Sequence, residues 1–150
     1  MTTEWRKATV EDLKEILLHV SHVTYEEMRF HGLSPRDVRD SFSDGAHKSE
    51  ALYVKGRPVA MYWYDPAVFP LTSTFITSGY YGRNYIAGVK AVRDWAASYD
   101  GPPLNSYTAS THPRVHKWFE VIGMHLVKIH GRIRHYQLNG DSGPAQMLQD

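Results

Sequence analysis

The chain has no cysteine. That excludes disulfides, thiolate metal sites and a cysteine nucleophile, and it fits a reducing compartment such as a cytoplasm. Nor is there an apolar run near the roughly 20 residues that a membrane-spanning helix needs. The first residues are polar and charged, without the apolar core of a signal peptide. An excess of charge is missing as well: 17 Lys and Arg stand against 16 Asp and Glu, for a formal net charge of +1. That balance draws the chain neither to nucleic acid nor to a membrane surface. There is no internal repeat and no low-complexity tract. Without a Gly-x-Ser-x-Gly elbow or a phosphate-binding P-loop, hydrolase and nucleotide-triphosphatase readings have no support.

What is present suits one globular domain. The length of 150 residues is enough for a substantial core, and 42% of them are hydrophobic. The patterning predicts a single domain over residues 1–138. Residues 139–150, rich in Gly, Pro and Gln, read as a loose tail in which Met147 and Leu148 could dock.

Residues 5–10 read as a first strand. Thr9-Val10-Glu11-Asp12 resembles a capping box, and Leu13, Ile16, Leu17, Val20, Val23 or Thr24, and Met28 make one helical face up to Gly32. Ser34-Pro35 opens a second helix that runs to about Phe42, and Asp44-Gly45 breaks it. Residues 50–55 and 58–64 read as a hairpin around Gly56-Arg57. Residues 72–77 are β-branched and aromatic, hence a fourth strand. Two glycines turn the chain over residues 78–83. A third helix is predicted over 84–99, stopped by Asp100-Gly101-Pro102-Pro103. Residues 104–109 form a fifth strand, and 124–130 with 133–138 a final hairpin around Gly131.

The most informative stretch is 112–124. Pro113 suits a first helical turn, where its missing N–H costs nothing. Ser110 and Thr111 lie just upstream as caps. Val115, Trp118, Phe119 and Ile122 fall on one face, and Gly123 is placed to end the helix in a left-handed conformation.

This strand, short helix, Gly and strand resemble the last βαβ segment of the GNAT acetyltransferases. An apolar residue, an aromatic at +3, Tyr at +4, Gly at +8 and an apolar residue at +9 recur there. Those places here hold Val115, Trp118, Phe119, Gly123 and Met124. The element order β-α-α-β-β-β-α-β-α-β-β is also the GNAT order, over about residues 5–138. The resemblance implies an α/β fold: a twisted mixed sheet, splayed between strands four and five, with helices on both faces. It also implies an N-acetyltransferase that uses acetyl-CoA on an amine or protein acceptor.

In that family the coenzyme's pyrophosphate is held by backbone N–H groups in an Arg/Gln-x-x-Gly-x-Gly/Ala stretch at a helix start, where donors and dipole favour an anion. The alignment that fits is residues 83–88. The cofactor-binding residues this implies are Ile76, Ser78, Arg83, Ala87 and Gly88. Ile86 stands where the first Gly is expected, and its branched side chain is expected to crowd those donors. The plainer reading makes Gly79 and Gly82 a simple turn and Arg83 a solvated surface cation.

Two further departures bear on chemistry. Phe119 occupies the place of the family's proton-donating Tyr, and a phenyl ring cannot donate a proton. The family base is often a Glu on strand four, yet residues 71–77 contain no acid. Glu50, Asp65 and His112 are the substitute bases; the unperturbed pKa of His, near ~6.5, suits proton traffic. Tyr80, Tyr81 and Tyr107 are substitute hydroxyls. His112, Tyr107 and Glu50 are taken as the catalytic set, beside the plainer reading that each is structural. His112 and His116 are four residues apart, but no third metal ligand accompanies them.

The basic stretch 128–135 reads as a charged edge hairpin. Tyr25, Met28, Phe30, His31 and Leu33 form either a substrate wall or a patch for a protein partner. The chain is also similar to small GNAT-like proteins of tailed bacteriophages, on three features. These are Thr111-His112-Pro113 at the helix start, an aromatic in place of the Tyr, and a fourth strand ending in Thr77-Ser78. That resemblance implies an alternative: a phage-encoded, non-catalytic protein on a GNAT scaffold. It would inhibit a host enzyme in the bacterial cytoplasm, or be an internal virion component.

Overall fold

Thr9 and Asp12 fix the entry to the first helix. The computed structural model describes residues 2–45 and 48–140. After strand β1 (Thr3–Lys7), the Thr9 hydroxyl accepts from Asp12 N and the Asp12 carboxylate accepts from Thr9 N, a complete capping box. Helix α1 (Val10–Leu18) then buries Leu13 and Ile16 completely. It ends there. Ser21 caps a separate helix α2 (His22–Phe30) by accepting from Thr24 N at 3.1 Å. The single helix expected up to Gly32 is therefore two. α3 (Pro35–Gly45) starts on Pro35, with Ser34 and Asp37 bonding reciprocally.

β2 (Lys48–Val54) and β3 (Arg57–Tyr64) form the expected hairpin. Its turn lies one residue earlier than the sequence suggests, with Lys55 and Gly56 both at positive φ. β4 (Thr74–Thr77) completes an antiparallel sheet of order β1-β2-β3-β4. A short helix α4 (Gly79–Arg83) replaces the expected turn and leads into α5 (Tyr85–Ser98). β5 (Leu104–Thr108), α6 (Pro113–Ile122), β6 (His125–His130) and β7 (Ile133–Leu138) follow. The last three strands form a second antiparallel sheet of order β5-β7-β6.

Strand alternation divides the core in two. Met61, Trp63 and Ile76 face α1 and α3; Ala60, Tyr62 and Tyr64 face α5 and α6. Helices thus cover both faces, as expected. The expected tail lies outside the described residues from 141 onward.

The N-cap of α6 is His112, not Ser110 or Thr111: its Nδ1 accepts from Arg114 N at 3.1 Å. Gly123 ends the helix at φ +102°, with Met124 N bonded to Phe119 O. A Cβ at Gly123 would meet nothing within 4 Å, so a substitution there costs backbone strain alone. Gly123→Val should therefore lose about 1–2 kcal/mol, and Gly123→Ala most of that, read as a lower melting temperature.

Candidate functional site

The two sheets meet at one point. Thr72 and Asn105 form an isolated parallel bridge, in which Ser73 N bonds Asn105 O and Asn105 N bonds Leu71 O, each at 2.9 Å. The Asn105 side chain fastens the same point: Nδ2 donates to Leu71 O at 2.8 Å, and Oδ1 accepts from Gln137 Nε2 and His135 Nε2. Because Oδ1 can only accept, His135 carries its proton on Nε2. Beyond this point β4 and β5 part, making a fork.

Both limbs of the fork are capped from α2. Thr77 N donates to Thr24 Oγ1, and Ser21 N donates to Thr77 O, each at 3.0 Å. On the other limb the Glu27 Oε1 accepts from Thr108 Oγ1, from Ala109 N at 2.8 Å and from Ser110 N at 3.0 Å. The second Glu27 oxygen faces His31 Nε2 at 3.7 Å. Arg132 leans on the same corner, with Nε on Ala109 O and its guanidinium over Phe30. Part of the basic hairpin is therefore used to hold the β5 limb.

Beneath the fork lies a cavity of about 40 Å³, with Phe75, Leu104, Ser106, Trp118, Phe119 and Ile122 among its walls. Trp118 lies against Phe75 and donates Nε1–H to Tyr81 OH at 2.9 Å. Phe119 stacks on the buried Tyr136, with ring centroids 4.2 Å apart. The Tyr136 hydroxyl reaches His116 Nδ1 at 3.0 Å. Burial holds the His116 imidazole below its ordinary pKa, and Arg134 adds to that shift.

The start of α5 follows β4 after the short helix α4. Asn84 turns its side chain to Tyr80 O, so no side chain caps the first-turn donors of Tyr85, Ile86 and Ala87. Ile86, the residue expected to crowd them, is 86% exposed. The Arg83 guanidinium lies 5.2 Å from the Tyr80 ring centre, and Arg57 lies 4.0 Å from it. Arg57 also pairs with Glu15 at 3.8 Å.

No protein-family model matches the chain, and no curated protein does. Solved structures do. An acetyltransferase from Thermus thermophilus is similar at TM-score 0.63 and 18% identity, over 91% of this chain and 96% of that one. The GNAT domain of S. lividans PAT is similar at TM-score 0.60 and 18% identity, over 92% and 90%. The PaiA N-acetyltransferase from Thermoplasma acidophilum, in complex with coenzyme A, is similar at TM-score 0.57 and 11% identity, over 92% and 99%. The chain has the GNAT fold.

Within the GNAT frame the sequence candidates scatter. Glu50 lies on β2, two strands from the β4 limb, where it accepts from Tyr62 OH at 2.5 Å. Burial, with that bond, raises the Tyr62 pKa. Tyr107 is half-exposed and stacks on His135 at 4.5 Å, on the opposite face of β5 from the cavity-lining Ser106. His112 is exposed at the start of α6. Asp65 accepts from Ala67 N in the loop after β3. Of the cofactor candidates, Ile76 is buried on the α1 side and Ser78 caps α4 through Tyr80 N. Arg83 and Ala87 lie at the α5 start. Gly88 is buried against the Tyr81 ring.

Glu27 was missed. A single long helix hides the fact that Ser21, Thr24 and Glu27, spaced by three, share the side that meets the fork. The cap signal of Ser21 could have revealed it. Among the described residues no three His, Cys, Asp or Glu gather as for a metal, and no helix is long and apolar enough to cross a membrane.

Proposed function

We propose that the protein is a cytoplasmic N-acetyltransferase that takes acetyl-CoA in the fork and passes the acetyl group to an amine or protein acceptor. The observation that carries this is the parting of β4 and β5, followed, one short helix further along the chain, by the first-turn donors of α5 that no side chain caps. The coenzyme, when bound, supplies an acetyl thioester. The α5 donors of residues 85–87, with Arg83 and Arg57, suit its diphosphate. Glu27 is the base, at the oxygen facing His31, because its other oxygen already holds three donors. It would take the proton of the acceptor ammonium. PaiA with its bound coenzyme A and the SpeG spermidine N-acetyltransferase chimera, similar at 14% identity, lend this reading support.

The test is calorimetric titration with acetyl-CoA, followed by a thiol-release assay against an amine panel. The chain has no thiol to add background. Arg83→Ala should weaken acetyl-CoA binding about tenfold, the loss of one charge-assisted contact. Unchanged affinity would remove Arg83 from the site.

A second reading is favoured by two facts: Phe119 lacks the expected hydroxyl, and the Thr77 peptide is already paired. In that reading the scaffold binds without turnover. The phage resemblance would make its partner a host bacterial enzyme, or place it within a virion. No heat with acetyl-CoA, together with a stoichiometric partner from bacterial lysate, would favour it.

A further inference from the structure

The outer edge of β4 has a partner from its own chain. Residues 19–21 run antiparallel to it: Ser21 N donates to Thr77 O, Gly79 N donates to His19 O at 2.8 Å, and Val20 bridges Ser78. Thr24 Oγ1 takes the Thr77 N–H, and the Ser21 and Thr77 hydroxyls lie 2.7 Å apart. This is the edge on which Ser73 meets β5 at the fork's apex, since every second residue of a strand presents its peptide to the same side. An extended arm with amide N–H and C=O groups, such as the pantetheine arm of coenzyme A, would enter the fork by adding to that edge as a strand does.

We propose that residues 19–24 are an internal strap, occupying the thioester slot and leaving the β4 edge when the thioester enters. The inference rests on the acetyl-CoA reading above. The strap is built for exchange. It is held to the β4 edge by backbone and hydroxyl hydrogen bonds, which incoming amides can replace nearly one for one, while its Val20 also packs against the α1-side core. The chain on either side is anchored: Leu13 and Ile16 hold α1 in the core and Glu27 holds the rest of α2 on the β5 limb, so that release of the strap unwinds the first turn of α2. The strap also touches the phosphate side, because the His19 ring meets the Tyr80 ring that Arg57 and Arg83 share.

The absence of cysteine makes a direct test available. Ser21→Cys with Thr77→Cys replaces two touching hydroxyls by two thiols, the only ones in the chain. Titration with acetyl-CoA compares this variant oxidised and reduced, with the cysteine-free parent as control. The expected result is that the reduced variant binds and the oxidised one binds about tenfold more weakly or worse, while oxidant leaves the parent unchanged. Equal affinity in both states overturns the strap and leaves the acetyl-CoA reading standing. No binding by the parent overturns that reading, and the strap with it. If the pair fails to fold or to cross-link, Ser21→Ala with Thr24→Ala decides. Loosening the strap should tighten acetyl-CoA binding about threefold or more; unchanged or weaker binding overturns the proposal.

Discussion

Asn105→Ala should cost about 2–4 kcal/mol of stability and lower the melting temperature by roughly 6–15 °C. Asn105 is 4% exposed, so none of its lost bonds is replaced by bulk water. Its amide ties β5 to three residues at the fork's apex: Leu71 before β4, and His135 and Gln137 on β7. The main-chain bonds of Asn105 to Leu71 and Ser73 survive the substitution. What disappears is the side-chain clamp that sets where the two sheets begin to part. Asn105→Asp separates lost bonding from lost volume. It fills the same space and keeps an acceptor for His135 and Gln137, but turns an oxygen toward Leu71 O. It should be at least as destabilising as alanine at neutral pH, because a carboxylate is then buried beside a carbonyl. Thermal melts of both variants read the loss. Hydrogen exchange at the Ser73 and Asn105 amides should quicken in both. A melting temperature within about 2 °C of the parent for both variants would mean that the main-chain bridge alone holds the apex.

Features that a few neighbouring residues determine were readable from sequence. The Thr9–Asp12 box, Pro35 and Pro113 at first turns, the hairpin turn near Gly56, and Gly123 at a positive φ all appear near where local chemistry puts them. The long first helix was misread because Val20, Val23 and Met28 continue its apolar stripe. The force that breaks it comes from Thr77, 56 residues away from Ser21, and no local pattern carries that. Glu27 shares this cause, since its partners Thr108, Ala109 and Ser110 are more than 80 residues distant. The fork itself was visible only through family resemblance, because residues 71–77 and 104–109 read alike whether paired or parted. Glu50 was named as an acid near a strand end; strand order, not spacing, puts it two strands from the β4 limb.

Gly88 brings local and distant causes into direct conflict, and Gly88→Ala should show which prevails. In an ordinary helix interior this change stabilises by up to about 1 kcal/mol. At Gly88 it should destabilise by about 1–3 kcal/mol net. An added Cβ would stand 2.8 Å from Tyr81 Cε1 and 3.1 Å from Cδ1, closer than real contacts allow. The ring cannot simply swing aside. Tyr81 is 6% exposed, and its hydroxyl holds the Trp118 indole N–H. Trp118 in turn lies on Phe75 of the β4 limb, so displacing Tyr81 disturbs the wall of the fork. Gly82→Ala is the control: with nothing within 4 Å of its Cβ, it should be neutral or slightly stabilising. Combining Gly88→Ala with Tyr81→Leu should cost less than the two losses added, because the shorter side chain vacates the contested space. The same experiment separates packing from phosphate approach. Were Gly88 there to admit a phosphate, alanine would leave the melting temperature intact and weaken only coenzyme binding. A glycine kept for the Tyr81 ring loses stability first, whether or not coenzyme is present, and the non-additivity with Tyr81 identifies the ring as the reason.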